Sequence, residues 1–475
     1  MVYVKKIFAK QIESSSALGD LTVPSENYLD KELYYTNKDG IYVKKEGLTI
    51  EGMLSTHRIA ERRHSAKDIT VRHLATRAVE GLNIRPDVLI VAHNEWPTPI
   101  PAIAGIAQYL CEYGTAPFCD IIANDNLPGP VIAEALVNSD KYTRVVYANS
   151  PDISKMRTEK LFNVDKFKDS AKVFQKRQKP IDIKNIDPAS IDFIIVDHKD
   201  FFESRSDMVK ANLGWADIQT LDVIACCPGY VMAVDIADAL IKTKTFETVT
   251  CVGAETMEKM ADPRHLDHCL YGSAAGATTY QASSEPGIIC SHSKGFGNLW
   301  EYLKWGPGIP LEDGSPTGPY MIMKGPQLYR FVKRTLPKIL NELMEKSNNV
   351  SNSYLAPIGL AAILLILHQM NGRLIEDLAC GIGKIPVTMK QLKFMQIPEE
   401  AKTFIDQQVP MSVQMLGNSS SASIPTLEDR ARKSIIRSRF SGKSFEDKLK
   451  IGSGTNVIKM GAGAGFIMGG YREIL

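Results

Sequence analysis

The sequence predicts an α/β protein in which helices cover buried sheets, and three observations carry that prediction. Strand-like and helix-like segments alternate over much of the chain. Val88-Leu89-Ile90-Val91, Phe193-Ile194-Ile195-Val196 and Ile363-Leu364-Leu365-Ile366-Leu367 are continuous apolar runs, as expected of strands covered on both faces. The first half also carries one pattern twice. Asp87 to His93 resembles Asp192 to His198, Asp120-Ile121-Ile122-Ala123 resembles Asp222-Val223-Ile224-Ala225, and Ala135-Leu136 with Val145 resembles Ala239-Leu240 with Val249. The separations are 105, 102 and 104 residues. Spacing this constant suggests a duplicated βαβ unit; the alternative is the chance likeness of two α/β segments.

The composition agrees with a folded core. Of 475 residues, 44% are hydrophobic and 23% charged, which excludes a disordered tail. A formal net charge of +2 gives no reason to expect nucleic acid or a strongly charged membrane as partner. The N-terminus lacks the apolar run of a signal peptide. The longest apolar stretch, Tyr354 to Leu367, is shorter than the ~20 residues of a membrane span and is interrupted by Pro357 and Gly359. Eight cysteines in a chain of this length form no disulfide framework, so a cytoplasmic protein with reduced thiols is expected.

Metal and nucleotide motifs are weak. There is no Cys-x-x-Cys, and His265 with His268 is a small ligand set, so no metal centre is expected. Ser441-Gly442-Lys443-Ser444 resembles the end of a phosphate loop, but Arg437 stands where the loop needs glycine. Gly461, Gly463 and Gly465 alternate without the dinucleotide spacing. Residues 281–320, rich in Gly and Pro, read as a long irregular connection of the kind that often lines or covers a pocket.

Four segments can carry chemistry. Leu221 to Tyr230 reads as a strand, a turn holding Cys226 and Cys227, and a helix. Ala233, Ile236, Ala237, Leu240 and Ile241 form its buried stripe, with Asp235, Asp238 and Lys242 off it. A thiol at such a junction faces unpaired N–H groups that favour thiolate; the alternative is two buried structural cysteines. His368-Gln369-Met370-Asn371 follows a buried strand and opens a helix patterned by Leu374, Ile375 and Leu378. Leu416-Gly417-Asn418-Ser419-Ser420-Ser421-Ala422-Ser423 is a small polar turn before another helix. Gly461-Ala462-Gly463-Ala464-Gly465-Phe466 allows close backbone approach and can aim an N–H into a site.

Together, in this order, these segments resemble the ketoacyl synthase III family of the thiolase superfamily. That family has Ala-Cys-x-Gly, His-Gln-x-Asn, Gly-Asn-Thr/Ser-Ser/Ala-Ala-Ser and a closing Gly-x-Gly-Phe turn. His368 stands 141 residues after Cys227, and Asn418 stands 50 after His368. Arg58 to Arg63, Val252-Gly253-Ala254-Glu255 and Met323 to Tyr329 match further family segments, so the resemblance covers roughly residues 50–475. Because the family nucleophile stands two residues before the glycine, Gly229 selects Cys227 over Cys226.

The resemblance implies a five-layered αβαβα thiolase-like fold of two similar halves. Residues 1–280 would form the first half, with an extra βαβ-like insertion within about 85–190, and residues 321–475 the second. It implies Cys227, His368 and Asn418 as catalytic residues and the N–H groups of Cys227 and Ala464 as an oxyanion hole, supported by Gly463 and Gly465. Gln369, Asn371 and Arg373 would bind substrate or carrier protein. The implied reaction loads an acyl group from a thioester onto Cys227 and condenses it with a malonyl-type or β-ketoacyl thioester. The implied donors are coenzyme A or acyl carrier protein, with no cofactor, in a specialised fatty-acid or polyketide pathway.

Two further readings stand beside it: acyl transfer to a hydroxyl or amine, and a non-catalytic partner subunit of a heterodimeric synthase. The family also implies a dimer across the first half, a homodimer or a heterodimer with a related synthase. One departure is Tyr271-Gly272-Ser273-Ala274-Ala275-Gly276-Ala277, which lacks the family's aspartate.

Overall fold

The computed structural model describes residues 7–37, 41–95, 108, 112, 114–125, 127–149, 164–199, 203–351, 358–443, 454–463 and 466–475. The apolar runs become strands of two sheets. The first holds β1 (Phe8–Leu18), β2 (Val88–Ala92), β3 (Phe118–Ala123), β4 (Arg144–Asn149), β5 (Lys172–Gln175), β6 (Ile181–Asp182), β7 (Phe193–Asp197), β8 (Gln219–Ile224), β9 (Thr248–Thr256) and β10 (Ser273–Ser283). Their order is β1-β10-β9-β2-β8-β3-β7-β4-β5-β6. The second sheet holds β11 (Ile288–Gly295), β14 (Leu364–Leu367), β15 (Asn456–Gly463) and β16 (Ile467–Ile474), in the order β11-β16-β15-β14. Between them in sequence, β12 (Leu303–Gly306) and β13 (Tyr320–Met323) form a separate hairpin.

The second sheet repeats the start of the first. β1 runs antiparallel to β10, β10 antiparallel to β9, and β9 parallel to β2. In the same way β11 is antiparallel to β16, β16 antiparallel to β15, and β15 parallel to β14. Among the described residues, the helices of eight residues or more are α1 (Ile50–His57), α2 (Val71–Glu80), α3 (Gly129–Asn138), α4 (Arg205–Asn212), α5 (Gly229–Lys242), α6 (Gly325–Ser351), α7 (Gly372–Ile382), α8 (Glu399–Gln408) and α9 (Ser423–Arg432). α5 and α9 touch both sheets and fill the space between them, α2 and α4 pack on the first sheet, and α6 packs on the second with α7 against it. These are the five layers.

Two expectations are corrected. Residues 281–320 are not an irregular connection: β10 runs on to Ser283, and the segment contains β11 and β12. The second sheet thus begins at Ile288, before residue 321. Alternation in Ile288-Ile289-Cys290-Ser291-His292-Ser293 suits a strand, and pairing with β16 overrides the surrounding glycines. α5 has no exposed stripe either, since Asp235 and Asp238 are as buried as its apolar residues. α3 packs on that face. There Lys141 pairs with Asp235 and lies 3.0 Å from Asp238, and the Tyr142 hydroxyl donates to Asp235. Buried carboxylates persist there because they are paired and hydrogen-bonded. Strands β3 to β7 run from Phe118 to Asp197, over the span where the resemblance implies an insertion.

Candidate active site

The cysteine turn lies between β8 and α5, closed by a hydrogen bond from the Gly229 N–H to the Cys226 carbonyl (2.8 Å). Cys226 has a φ of +54°, a left-handed conformation that a non-glycine residue holds only when its surroundings impose it. Asn94, two residues past the end of β2, supplies part of that constraint: its Oδ1 accepts from the Cys226 N–H (3.0 Å). Asn94 itself donates twice to Glu255, through Nδ2 (2.6 Å) and N–H (3.2 Å), and the Ser421 hydroxyl donates to the same carboxyl (2.8 Å). Burial pushes Glu255 up to about 7. Sequence reasoning missed Asn94. Its signal was His93-Asn94 at the end of β2, placed as His368-Gln369 is at the end of β14.

Both thiols are buried, with their sulfurs 3.9 Å apart. The Ser420 hydroxyl donates to Cys227 Sγ (3.6 Å). The Cys226 side chain, together with burial, pushes the Cys227 thiol well above its ordinary value. The low-pKa thiol expected from the helix N-terminus is therefore not found in the free protein, because desolvation and a neighbouring sulfur outweigh the helix end. Across from Cys227 runs β15. A Cβ built on Gly463 would fall 2.7 Å from Cys227 Cβ and 2.8 Å from its nitrogen, so glycine is what admits this approach. Ala464 and Gly465 lie outside the described residues.

His368 follows β14 directly, its N–H bonded to the Met460 carbonyl (2.8 Å). It is wholly buried, and desolvation lowers it to about 3, so the ring is neutral. Nδ1 lies 2.7 Å from Ser423 Oγ, which already accepts from the Gln369 N–H (3.3 Å). The Ser423 hydroxyl can donate to Nδ1, an arrangement that goes with a ring proton on Nε2, or accept from it. Nε2 has no hydrogen-bond partner within the described residues. Asn418 follows Gly417, whose φ of +73° and close contact with Arg62 suit glycine. Its Oδ1 accepts from the Ser420 N–H (2.8 Å), and its Nδ2 is 3.4 Å from the Met370 carbonyl.

Cys226, Cys227, His368, Asn418 and Gly463 line one cavity of about 920 Å³ between the halves. Met257, Tyr271, Leu303, Met321, Met323 and Leu328 form an apolar wall, brought there largely by the β12–β13 hairpin. Exposed Lys45, Arg330, Lys333 and Lys393 and half-buried Arg373 line it toward solvent, with Asp267. Asn371 also lines it, while its Oδ1 caps α7 by accepting from the Leu374 N–H (3.2 Å).

Gln369 does not join them. Its amide donates to the Leu367 carbonyl (2.7 Å) and accepts from the N–H groups of Ser412 and Val413, so it braces the backbone behind the site. Ser273, in place of the family's aspartate, donates to buried Glu258, which also accepts from the Ser65 hydroxyl (2.6 Å). His268 Nδ1 lies 3.1 Å from the Tyr28 hydroxyl and His265 Nε2 3.1 Å from Thr36 Oγ1. Among the described residues no group of three or more His, Cys, Asp or Glu is placed to hold a metal, and no helix is long and apolar enough to cross a membrane.

The model of a family described as 3-oxoacyl-[acyl-carrier-protein (ACP)] synthase III matches residues 221–296. Beta-ketoacyl-[acyl-carrier-protein] synthase III of Xanthomonas axonopodis pv. citri (strain 306) is 30% identical over 237 residues, 49% of this chain and 64% of that protein. Beta-ketoacyl-[acyl-carrier-protein] synthase III 1 of Vibrio parahaemolyticus serotype O3:K6 is 30% identical over 263 residues, 54% of this chain and 73% of that protein. The chain thus spans under two thirds of the first of these relatives and more of the second. The crystal structure of 3-oxoacyl-[acyl-carrier-protein] synthase III from Aquifex aeolicus VF5 superposes with a TM-score of 0.56 at 19% identity, covering 98% of this chain and 100% of that one. The priming beta-ketosynthase of the R1128 polyketide biosynthetic pathway superposes with a TM-score of 0.59 at 16% identity, covering 100% and 98%. At these identities the superpositions establish a shared fold.

Proposed function

The chain belongs to the 3-oxoacyl-[acyl-carrier-protein] synthase III family and has its thiolase-like fold, and on that premise we propose that it is a condensing enzyme with Cys227 as nucleophile and His368 and Asn418 as its partners. One observation carries the reading. Three side chains from three distant segments line one cavity, and the β15 backbone at Gly463 lies against the nucleophile.

The first half-reaction is thioester exchange. Cys227 Sγ bonds to the acyl carbonyl, the donor's C–S bond breaks, and the cysteine's proton leaves with the released thiol. The Cys227 thiol is held protonated in the free protein, so its proton passes to the departing thiolate during attack. In this reading the N–H of Cys227 donates to the carbonyl oxygen; Ala464, whose N–H the family resemblance implies as the second donor, lies outside the described residues. Losing one such donor costs on the order of 2.7–4 kcal/mol of transition-state stabilisation.

In the second half-reaction a malonyl-type thioester loses carbon dioxide. The Nε2–H of His368 and the amide of Asn418 donate to its thioester oxygen as the enolate forms. The enolate carbon attacks the acyl-cysteine, and the Cys227–acyl bond breaks to release a thiolate, which takes a proton from solvent to return the thiol. The apolar wall takes an apolar acyl chain, and the lysines and arginines at the opening suit the phosphates of coenzyme A or of a carrier protein's prosthetic arm.

Intact-protein mass spectrometry with a panel of acyl-coenzyme A thioesters is expected to give one acyl adduct on the unaltered protein and on Cys226→Ala, and none on Cys227→Ala. The reverse pattern in the two variants overturns the assignment. Release of labelled carbon dioxide from a malonyl thioester separates condensation from transfer to a hydroxyl or amine.

A further inference from the structure

The ten-stranded sheet has an internal symmetry that the duplicated sequence explains. The repeat pairs β2 with β7, β3 with β8, α3 with α5 and β4 with β9. In the sheet these strands run β9-β2-β8-β3-β7-β4, an order that reads the same from both ends once each strand is exchanged for its counterpart. β2 is parallel to both β9 and β8, and β7 is parallel to both β4 and β3. β8 meets β3 antiparallel at the centre, as two strands related by a twofold axis must.

The register obeys the same operation. Ile224 faces Asp120 and Asp222 faces Ile122, and the 102-residue shift turns one pair into the other. Val249 faces Val88 as Val145 faces Phe193, and Asp222 faces Val91 as Asp120 faces Val196. The axis also relates two buried His–Asp pairs: His93 Nε2 lies 3.4 Å from Asp222, and His198 Nε2 lies 2.8 Å from Asp120. The backbone repeats too, with the His93 N–H bonded to the Val223 carbonyl and the His198 N–H to that of Ile121. α3 packs against α5 across the axis.

Two details give this symmetry a function. The copies have exchanged a strand, since β2 lies in the sheet with the later β8 and β9, and β7 with the earlier β3 and β4. The first copy is also stripped for chemistry: Asp125 stands where Cys227 stands in the second, with an almost fully exposed side chain. We propose that this chain carries its own twofold partner, a degenerate copy of the nucleophile-bearing unit that closes the edge of β8 from within, so that the enzyme works as a single chain. The dimer expected across the first half is replaced by a contact inside one molecule. An uncovered β8 would expose a row of N–H and C=O groups ready to pair with another copy, and β3 uses them up.

The molecular mass in solution tests this independently of the chemistry. Light scattering on the full chain at micromolar concentration is expected to give 52.5 kDa. A species of twice that mass that persists on dilution overturns the proposal. A chain lacking residues 93–197, with Ala92 joined to His198, loses one repeat and keeps a histidine at the end of β2. It is expected at twice its own mass, paired through β8. A folded monomer of this variant, by circular dichroism and light scattering, also overturns the proposal. If the shortened chain fails to fold, the mass of the full chain decides.

Discussion

Gly463→Ala isolates the contact between the halves at the nucleophile. The added methyl would meet Pro228 Cδ at 2.6 Å, Cys227 Cβ at 2.7 Å and Cys227 N at 2.8 Å. Carbon atoms settle near 3.5 Å, so β15 and the cysteine turn must part by about 0.8 Å. The obstacles are backbone, the cysteine stem and a proline ring, none of which can swing aside as a long flexible side chain would. Overpacking of this kind costs about 1–3 kcal/mol of stability. The larger effect falls on rate. A misplacement of about 1 Å between reacting groups costs on the order of 10²-fold, or about 2.7 kcal/mol of barrier. Acylation of Cys227 should therefore slow about 100-fold, measured by quenched-flow mass spectrometry under single-turnover conditions. Gly381→Ala is the control. A Cβ there meets nothing within 4 Å, inside α7, and should stabilise by about 0.5–1 kcal/mol with acylation unchanged. A folded Gly463→Ala protein acylated at the unaltered rate would refute the proposed coupling of β15 to the nucleophile.

Three more outcomes are expected. Cys226→Ala removes the main cause that holds the Cys227 thiol high, so the pH dependence of Cys227 alkylation by iodoacetamide should move to lower pH; an unmoved profile contradicts it. Lys141→Met leaves Asp235 and Asp238 buried without their shared cation and should cost about 3–5 kcal/mol in urea unfolding, against near-neutral Lys176→Met at the exposed pair with Asp140. His57 and His368 are lowered to about 3, and His64 and His268 to about 4, all by burial first. Their folded values lie below the ordinary 6.5, so the unfolded chain binds more protons between about pH 3 and 6.5. Stability from these four should be complete above pH 6.5 and fall as the pH drops through that window, with Glu255 opposing in part; urea titrations at pH 7.5 and 5.5 that superimpose would contradict it.

By itself the sequence determined the local elements and the order of the chemical segments. An apolar run such as Phe193 to Val196, or the i, i+3, i+4 stripe of α5, carries its periodicity in adjacent residues. Motifs such as His368-Gln369-Met370-Asn371 are equally local, as is the near-constant spacing of the repeat. What no local pattern contains is which distant elements meet. Only the tertiary structure decided that β2 and β7 exchange places between the copies, that α3 covers the acidic face of α5, and that Ile288 to Gly295 joins the second sheet. It also turned Gln369 away into the backbone, enlisted Asn94 behind Cys226, and set Gly463 against a cysteine 236 residues earlier in the chain. Each of these follows from burial and from hydrogen bonds between segments far apart in sequence. Such terms act only once the chain has closed on itself, and here they bring a cysteine from one half and a histidine and an asparagine from the other to one cavity.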